Sequence, residues 1–374
     1  MKIWRKVLFV PAAAVFFIRF LVLKIITPPK RPNYKQDKII EVRPEEVVLR
    51  LTPGTVRPGI YELNFPGGMA LVGEVVEMYD DTVCRRLLEV SSGKLKIGAA
   101  DFGRVYGGNP RTRLGVDYLD VDLKIGVGDI PAWVITAGDG ATQSDAWAVL
   151  VHGWGQERAY CLQYVPLLTS LGINCIIPSY RNDLDAPKSP DGKYGLGLVE
   201  WQEAEAAMDY AVANGAKDII LYGFSMGGEI VMQAAIRSEL KSRVAAVILD
   251  GPVLDWERTL FYQGSQYHLP RFVSLLTMKM LEITKGIRLK DLNLIDNNIA
   301  VSCPILILHA RDDAVVPFSA SRLFSEKYAN VTLCNFKEGG HMLLLNSNRE
   351  RYESEVREFL QKALYAKDTP VALS

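Results

Sequence analysis

Ile219-Ile220-Leu221-Tyr222-Gly223-Phe224-Ser225-Met226-Gly227-Gly228 is an apolar run that breaks into Gly-x-Ser-x-Gly. Ile219 to Tyr222 reads as a short buried strand. Glu229 to Ser238 reads as a helix, with Ile230, Val231, Ala234 and Ala235 on one face. A turn this tight leaves no room for side chains beside the serine, which suits the two glycines. It lifts the Ser225 hydroxyl clear of a sheet. It also sets the following N–H groups at a helix N-terminus, where negative charge is stabilised. Glycines before helices also serve packing, so a nucleophilic serine requires a base, an acid and a second N–H donor elsewhere.

Outward from this turn, strand-like runs alternate with helical ones. Trp147–Val151, Asn174–Pro178, Asp218–Leu221, Ala245–Leu249, Ile305–Leu308 and Val331–Cys334 read as strands. Ala159–Leu171, Leu198–Asn214 and Glu229–Leu240 read as helices between them. Val116–Lys124 and Ile130–Thr136 form a hairpin ahead of the series. The alternation predicts an α/β fold with a doubly wound, mostly parallel sheet.

Three strand ends carry chemistry. Val149-Leu150-Val151 runs into His152-Gly153-Trp154-Gly155, a loop able to turn a backbone N–H toward Ser225. Ile305–Leu308 leads to Asp312-Asp313, and Val331–Phe336 leads to Gly339-Gly340-His341. Asp313 is the expected acid. Asp312 is read as a loop-capping carboxylate and Asp250 as a second candidate acid. His341 is the expected base, and His152 is read as a residue that holds its loop.

The order Ser225, Asp313, His341 resembles the triad of the α/β-hydrolase superfamily over residues 116–365. The resemblance implies Ser225 as nucleophile, His341 as base and Asp313 as acid, with the N–H groups of Trp154 and Met226 as oxyanion donors. Asp-x-x-Val-Pro at 313–317 and Gly-Gly-His at 339–341 are similar to esterase and prolyl-oligopeptidase-like branches. Ser179-Tyr-Arg-Asn-Asp183 and Glu200-Trp201 resemble a membrane-tethered, uncharacterised subgroup.

The segment 252–300 is long for a plain crossover. Its apolar run Phe272–Ile283 is expected to form a helical lid over the serine. Arg181, Asp183, Tyr262 and His268 are candidate substrate-binding residues, with a structural ion pair as the other reading of Arg181 and Asp183.

The N-terminal third reads differently. Residues 1–26 have a basic start, then the apolar run Val7–Ile26, interrupted by Pro11, Arg19 and Lys24. About 20 apolar residues suffice to span a bilayer, so a membrane anchor is expected, of unassigned orientation. A signal peptide or a packed helix are the other readings. Residues 27–50, with Pro28-Pro29, Pro32 and Pro44, are expected as a linker. Residues 51–115, punctuated by Pro53-Gly54, Pro58-Gly59, Pro66-Gly67 and Gly107-Gly108, are expected as a β-rich appendage. The hydrolase domain is expected over 116–374.

Lys+Arg and Asp+Glu balance at 43 each. Nine of the basic residues lie up to Lys38, so the remaining body is mildly acidic. No basic patch accompanies the proposed chemistry, which argues against nucleic acid as a partner. The five cysteines, in no Cys-x-x-Cys pair, read as free thiols. The chemistry requires no metal or organic cofactor. The expected reaction is hydrolysis of a small-molecule or lipid ester. A peptidase and a silent binding protein on the same fold are the alternatives.

Overall fold

A computed structural model describes residues 2–29, 37–103, 108–138 and 145–365, without the side chains of 2–12 and 365. Residues 30–36 of the expected linker, Gly107 of an expected turn and the tail 366–374 lie outside the described residues.

The chain opens with a helix, α1 (Lys2–Ile26). Ile18, Val22 and Ile26 recur at i, i+4 and i+8 and are buried. Val22 and Ile26 join the main hydrophobic core. The end of α1 is further tied down by backbone contacts. The Trp154 indole N–H donates to the Ile25 carbonyl (2.8 Å), and the Tyr194 amide to that of Ile26 (2.8 Å). The last turns of the expected anchor are therefore packed on protein. Among the described residues, no helix is long and apolar enough to cross a membrane.

Six strands follow: β1 (Asp37–Val42), β2 (Glu46–Arg50), β3 (Tyr61–Phe65), β4 (Gly68–Met78), β5 (Thr82–Ser92) and β6 (Gly98–Phe102). They close into a barrel in the order β1-β2-β5-β4-β3-β6, which leaves no free sheet edge. β1 and β2 occupy residues expected as linker. Ile39, Val47 and Leu49 point into the barrel with Leu63, Val72 and Val83, so local proline content gives way to burial.

Arg85 on β5 is fully buried beneath the loop joining β2 to β3. Its guanidinium donates to the carbonyls of Thr55 (2.9 Å), Arg57 (2.8 Å) and Gly59 (2.7 Å), and to that of Gly73. It also stands over the Tyr61 and Phe102 rings. Burial lowers its pKa to about 10, and the guanidinium stays charged at neutral pH.

After a short helix, α2 (Pro110–Leu114), the chain enters the main sheet. Its strands are β7 (Leu119–Ile125), β8 (Gly128–Ile135), β9 (Ala146–Val151), β10 (Asn174–Pro178), β11 (Asp218–Phe224), β12 (Val244–Asp250), β13 (Ile305–Ala310) and β14 (Val331–Phe336). The spatial order is β14-β13-β12-β11-β9-β10-β8-β7. β9 to β14 run parallel, while β8 pairs antiparallel with β10 and β7 with β8.

Both faces are covered, which is why the central strands are apolar throughout. On β11, Ile219 and Leu221 face one core and Ile220 and Tyr222 the other. A 3-10 turn (Arg158–Tyr164) and α3 (Val165–Ser170) cover the second face with a C-terminal helix, α10 (Arg349–Tyr365). Pro166 near the start of α3 explains why the expected helix 159–171 is split. α4 (Trp201–Ala213) and α5 (Met226–Arg237) cover the first face. Between β12 and β13 stand α6 (Trp256–Gln266) and α7 (Arg271–Lys285), separated by Pro270. α7 buries Thr277, Met278 and Leu281 and exposes Phe272, Leu275 and Leu276. α8 (Phe318–Lys327) and the short α9 (Leu344–Ser347) complete the body.

Candidate active site

β11 ends at Phe224, and Ser225 adopts φ 53° and ψ −115°, a costly conformation for a residue with a side chain. A Cβ at Gly223 would collide with the Gly227 carbonyl, and one at Gly227 with the Val151 carbonyl. Close backbone approach therefore requires both glycines. α5 begins at Met226, so the positive end of its dipole meets the serine.

Because β9 and β11 are neighbours, the loop after β9 lies against this turn. The position of a Cβ on Gly153 is 3.1 Å from both the Phe224 carbonyl oxygen and the Ser225 Cβ. His152 is fully buried. Its Nε2 is 2.9 Å from Asp183 Oδ2 and its Nδ1 is 3.0 Å from the Gly153 carbonyl. Burial opposes its charge, but these acceptors outweigh burial and raise its pKa. The ring stacks on Tyr180, whose hydroxyl also donates to the Gly153 carbonyl (2.9 Å). His152 and Asp183 thus fix the loop that presents Trp154.

The neighbouring strands β13 and β14 deliver Asp313, the expected acid, and His341, the expected base. His341 Nε2 lies 2.9 Å from Ser225 Oγ, and its Nδ1 lies 2.7 Å from Asp313 Oδ2. A carboxylate only accepts, so Nδ1 carries the proton and Nε2 is free to accept from the serine hydroxyl. Asp313 Oδ1 accepts the amides of Val315 (2.8 Å) and Val316 (2.9 Å). His309 Nε2 adds a contact to Oδ2 at 3.2 Å, and Ser321 holds the far side of that ring. Burial by itself would raise the Asp313 pKa. His341 and His309 outweigh it and hold the carboxyl well below the usual range, so it is ionised at neutral pH. Asp312 accepts the Gly340 amide (2.8 Å) and so caps the loop that carries His341.

Ser225, Met226, Trp154 and His341 line one cavity of about 1160 Å³. The barrel, α1, α6 and α7 supply much of its remaining wall. The four candidate substrate-binding residues divide. Asp183 lines the cavity, yet its Oδ2 is held by His152 and the Tyr180 amide (2.8 Å). Arg181, Tyr262 and His268 are not among the lining residues. Arg181 forms a buried pair with Glu203 (2.6 Å) and a bond to Gln202 (2.7 Å), the structural ion-pair reading, with Glu203 in place of Asp183. A charged group that close to the sheet core requires a buried partner, and α4 provides it. Tyr262 donates to the Asp313 carbonyl (2.8 Å), which makes it a support of the acid loop. His268 stands two residues beyond α6 at φ 54°.

Sequence reading missed a buried network beneath the triad. Asp250 Oδ2 accepts from Tyr352 (3.0 Å) and Tyr164 (3.3 Å). Tyr164 meets Tyr160 (3.0 Å), which donates to the Met342 carbonyl (2.7 Å) beside His341. Tyr222 meets Tyr352 at 2.5 Å. The tyrosines come from three separate segments, so no local pattern announces them.

Burial pushes the Asp250 pKa up to about 7 against the Tyr352 and Tyr164 hydrogen bonds and the nearby His341, with Asp313 adding to the rise. The unfolded chain binds this proton only below about pH 4. Between about pH 4 and about pH 7 the native state holds more protons at this position, so its contribution to stability falls as pH rises. Asp250→Asn keeps the shape and removes the titration. Urea midpoints across this window should decline less steeply for the variant than for the wild type. Parallel slopes would show that Asp250 does not titrate this way.

Residues 148–269 match the family model for the alpha/beta hydrolase fold, and residues 38–103, the barrel, match a domain of unknown function (DUF8805). The uncharacterized protein YqkD of Bacillus subtilis is 24% identical over 217 residues, covering 57% of this chain and 70% of that protein. The lysophosphatidylserine lipase ABHD12 of Macaca fascicularis is 26% identical over 196 residues, covering 49% of this chain and 46% of that protein. Among solved structures, an esterase of Pyrococcus furiosus aligns with a TM-score of 0.57 at 20% identity, over 70% of this chain and 97% of its own. Est1E of Butyrivibrio proteoclasticus aligns with a TM-score of 0.50 at 19% identity, over 66% of this chain and 99% of its own. The sheet order, the strained serine turn and the match over residues 148–269 agree on an alpha/beta hydrolase fold for the body of this chain.

Proposed function

We propose that this chain is a serine hydrolase that cleaves carboxylic esters through a covalent acyl-enzyme. One observation carries the reading: Ser225 Oγ, His341 and Asp313 form a continuous hydrogen-bonded chain at 2.9 and 2.7 Å on the wall of a cavity. Ser225 Oγ attacks the ester carbonyl carbon as its proton passes to His341 Nε2. The carbonyl electron pair moves to oxygen, held by the N–H groups of Trp154 and Met226. Collapse breaks the bond to the alcohol, which leaves with the proton from His341. Water then attacks the acyl carbon as its proton passes to His341, the bond to Ser225 Oγ breaks, and that proton returns to the serine as the acid is released. Asp313 remains ionised throughout and balances the imidazolium.

The apolar part of the cavity wall, with Leu21, Ile25, Leu260 and Met278, supports an ester with a hydrocarbon portion. α6 and α7 serve as its lid. The esterase and lipase names among the similar proteins point the same way. A panel of p-nitrophenyl esters, acylglycerols and aminoacyl amides, offered to the full chain, tests the reading. Esters should turn over and aminoacyl amides should not. Comparable rates on amides would favour the peptidase alternative, and no turnover with any class would favour a silent fold.

A further inference from the structure

The barrel closes one side of the cavity that holds Ser225 and His341, and Asp37, Thr52, Arg57 and Asp101 are part of that side. Its carboxylates are engaged. Asp37 accepts the Phe102 amide (3.0 Å) and the Thr52 hydroxyl (3.4 Å), and Asp101 also has a partner within the protein. Glu157, elsewhere on the wall, is pushed toward its neutral form by burial and by Asp185.

Arg57 differs. Among the described residues, its guanidinium has neither a hydrogen bond nor an ion pair within the protein. It lies against Gly340, the residue before His341. Its Nη1, Cζ and Nη2 atoms are 2.5, 2.7 and 2.7 Å from where a Cβ on Gly340 would stand, so a side chain there would displace the guanidinium, and Gly340 at φ 64° lies in the region that favours glycine. The backbone that carries it is fixed from two sides. Arg85 holds the carbonyls of residues 55, 57 and 59 from inside the barrel. Outside, Ile60 exchanges bonds with Asn346: its amide donates to the Asn346 carbonyl (3.2 Å), and Asn346 Nδ2 returns to its carbonyl (3.0 Å). A fork of five donors is thus presented half-buried beside the catalytic base, on the wall of the cavity. Lys24 is the other cation of the wall, but it is exposed and free to swing into solvent.

We propose that Arg57 recognises an anionic group on the substrate, so that the site acts on esters bearing a carboxylate or a phosphate, with their apolar part against Leu260 and Met278. This rests on the ester-hydrolase reading. A planar guanidinium pairs with two oxygens of either anion, so the shared chemistry is an oxyanion within reach of the ester carbonyl.

Two substrate pairs separate the sources of that anion: monoacylglycerol against monoacylglycerol phosphate, and methyl 4-acetoxybenzoate against 4-acetoxybenzoate. The quantity read is the ratio of kcat/KM for the charged member to that for the neutral one, with the full chain. Arg57→Gln should lower this ratio by about 10- to 100-fold for the pair that fits, mainly through KM. Arg57→Lys keeps the charge but loses the fork and should lower it by about 3- to 10-fold, which gives the same test should the glutamine variant fail to fold. Ratios unchanged in both pairs overturn the proposal even where absolute rates fall, because a purely structural role against Gly340 would depress both members alike. Wild type that turns over neither pair and reacts with no fluorophosphonate overturns the ester-hydrolase reading, and this proposal with it.

Discussion

Ser225→Ala should lower kcat for a short p-nitrophenyl ester by about 10⁶-fold while the protein stays folded. In the proposed mechanism the hydroxyl is the attacking atom, and among the described residues no other hydroxyl stands at His341 Nε2 to replace it. The strained backbone at φ 53° is held by β11, α5 and the Gly223 and Gly227 contacts, none of which uses the hydroxyl. The thermal midpoint should therefore move by only a few degrees. Residual turnover over the uncatalysed rate should survive, because the N–H groups of Trp154 and Met226 and the cavity remain. A variant that keeps more than a tenth of wild-type kcat would show that another group attacks the ester.

The second large effect concerns the acid. Asp313→Asn should lower kcat by about 10⁴-fold. Asp313 accepts four N–H groups: two amides at Oδ1, and His341 and His309 at Oδ2. Asparagine puts an NH₂ where one pair of donors already points, whichever way it is turned. Turned toward His341, it donates to Nδ1 and moves the ring proton to Nε2, which then cannot accept from Ser225. Turned toward Val315 and Val316, it sets donor against donor in a buried loop and leaves His341 without its counter-charge. Asp250→Asn should cost less than about tenfold, because Asp250 supports the site through Tyr164, Tyr160 and the Met342 carbonyl and touches no reacting atom. Kinetic constants for the two variants side by side check this. A larger loss at Asp250 than at Asp313 would exchange the two assignments.

Much of the main sheet was legible because its information is local. Each parallel strand is a short apolar run followed by a glycine turn or a loop with a polar side chain, as at Val151-His152-Gly153 and Phe224-Ser225. The residues brought together at the candidate site, Ser225, Asp313 and His341, all follow strand ends, so strand order sufficed to gather them at one edge. The barrel was only half legible. β1 pairs with β6 through partners such as Asp37 and Ala100, and nothing near Asp37 states that distant pairing. The prolines of 27–50 dominate its local pattern instead. Segment 1–26 is apolar on every side, so no amphipathic face marks Ile18, Val22 and Ile26 as the packed positions. The partner of Arg181 was not legible for a related reason: Glu203 stands 22 residues later, on a helix whose facing only tertiary structure supplies. Arg57 lies in a turn between strands, where one arginine among prolines and glycines carries no signal of its own.

The central claim is that Ser225 is a nucleophile activated by His341. Its most direct test is to treat the full chain with a fluorophosphonate, digest it and locate the adduct by mass spectrometry. The account predicts one phosphonyl group per chain, on the peptide containing Ser225, and none on that peptide in the His341→Ala protein over the same interval. An adduct on another residue, or an unmodified Ser225 peptide in the wild type, would contradict it.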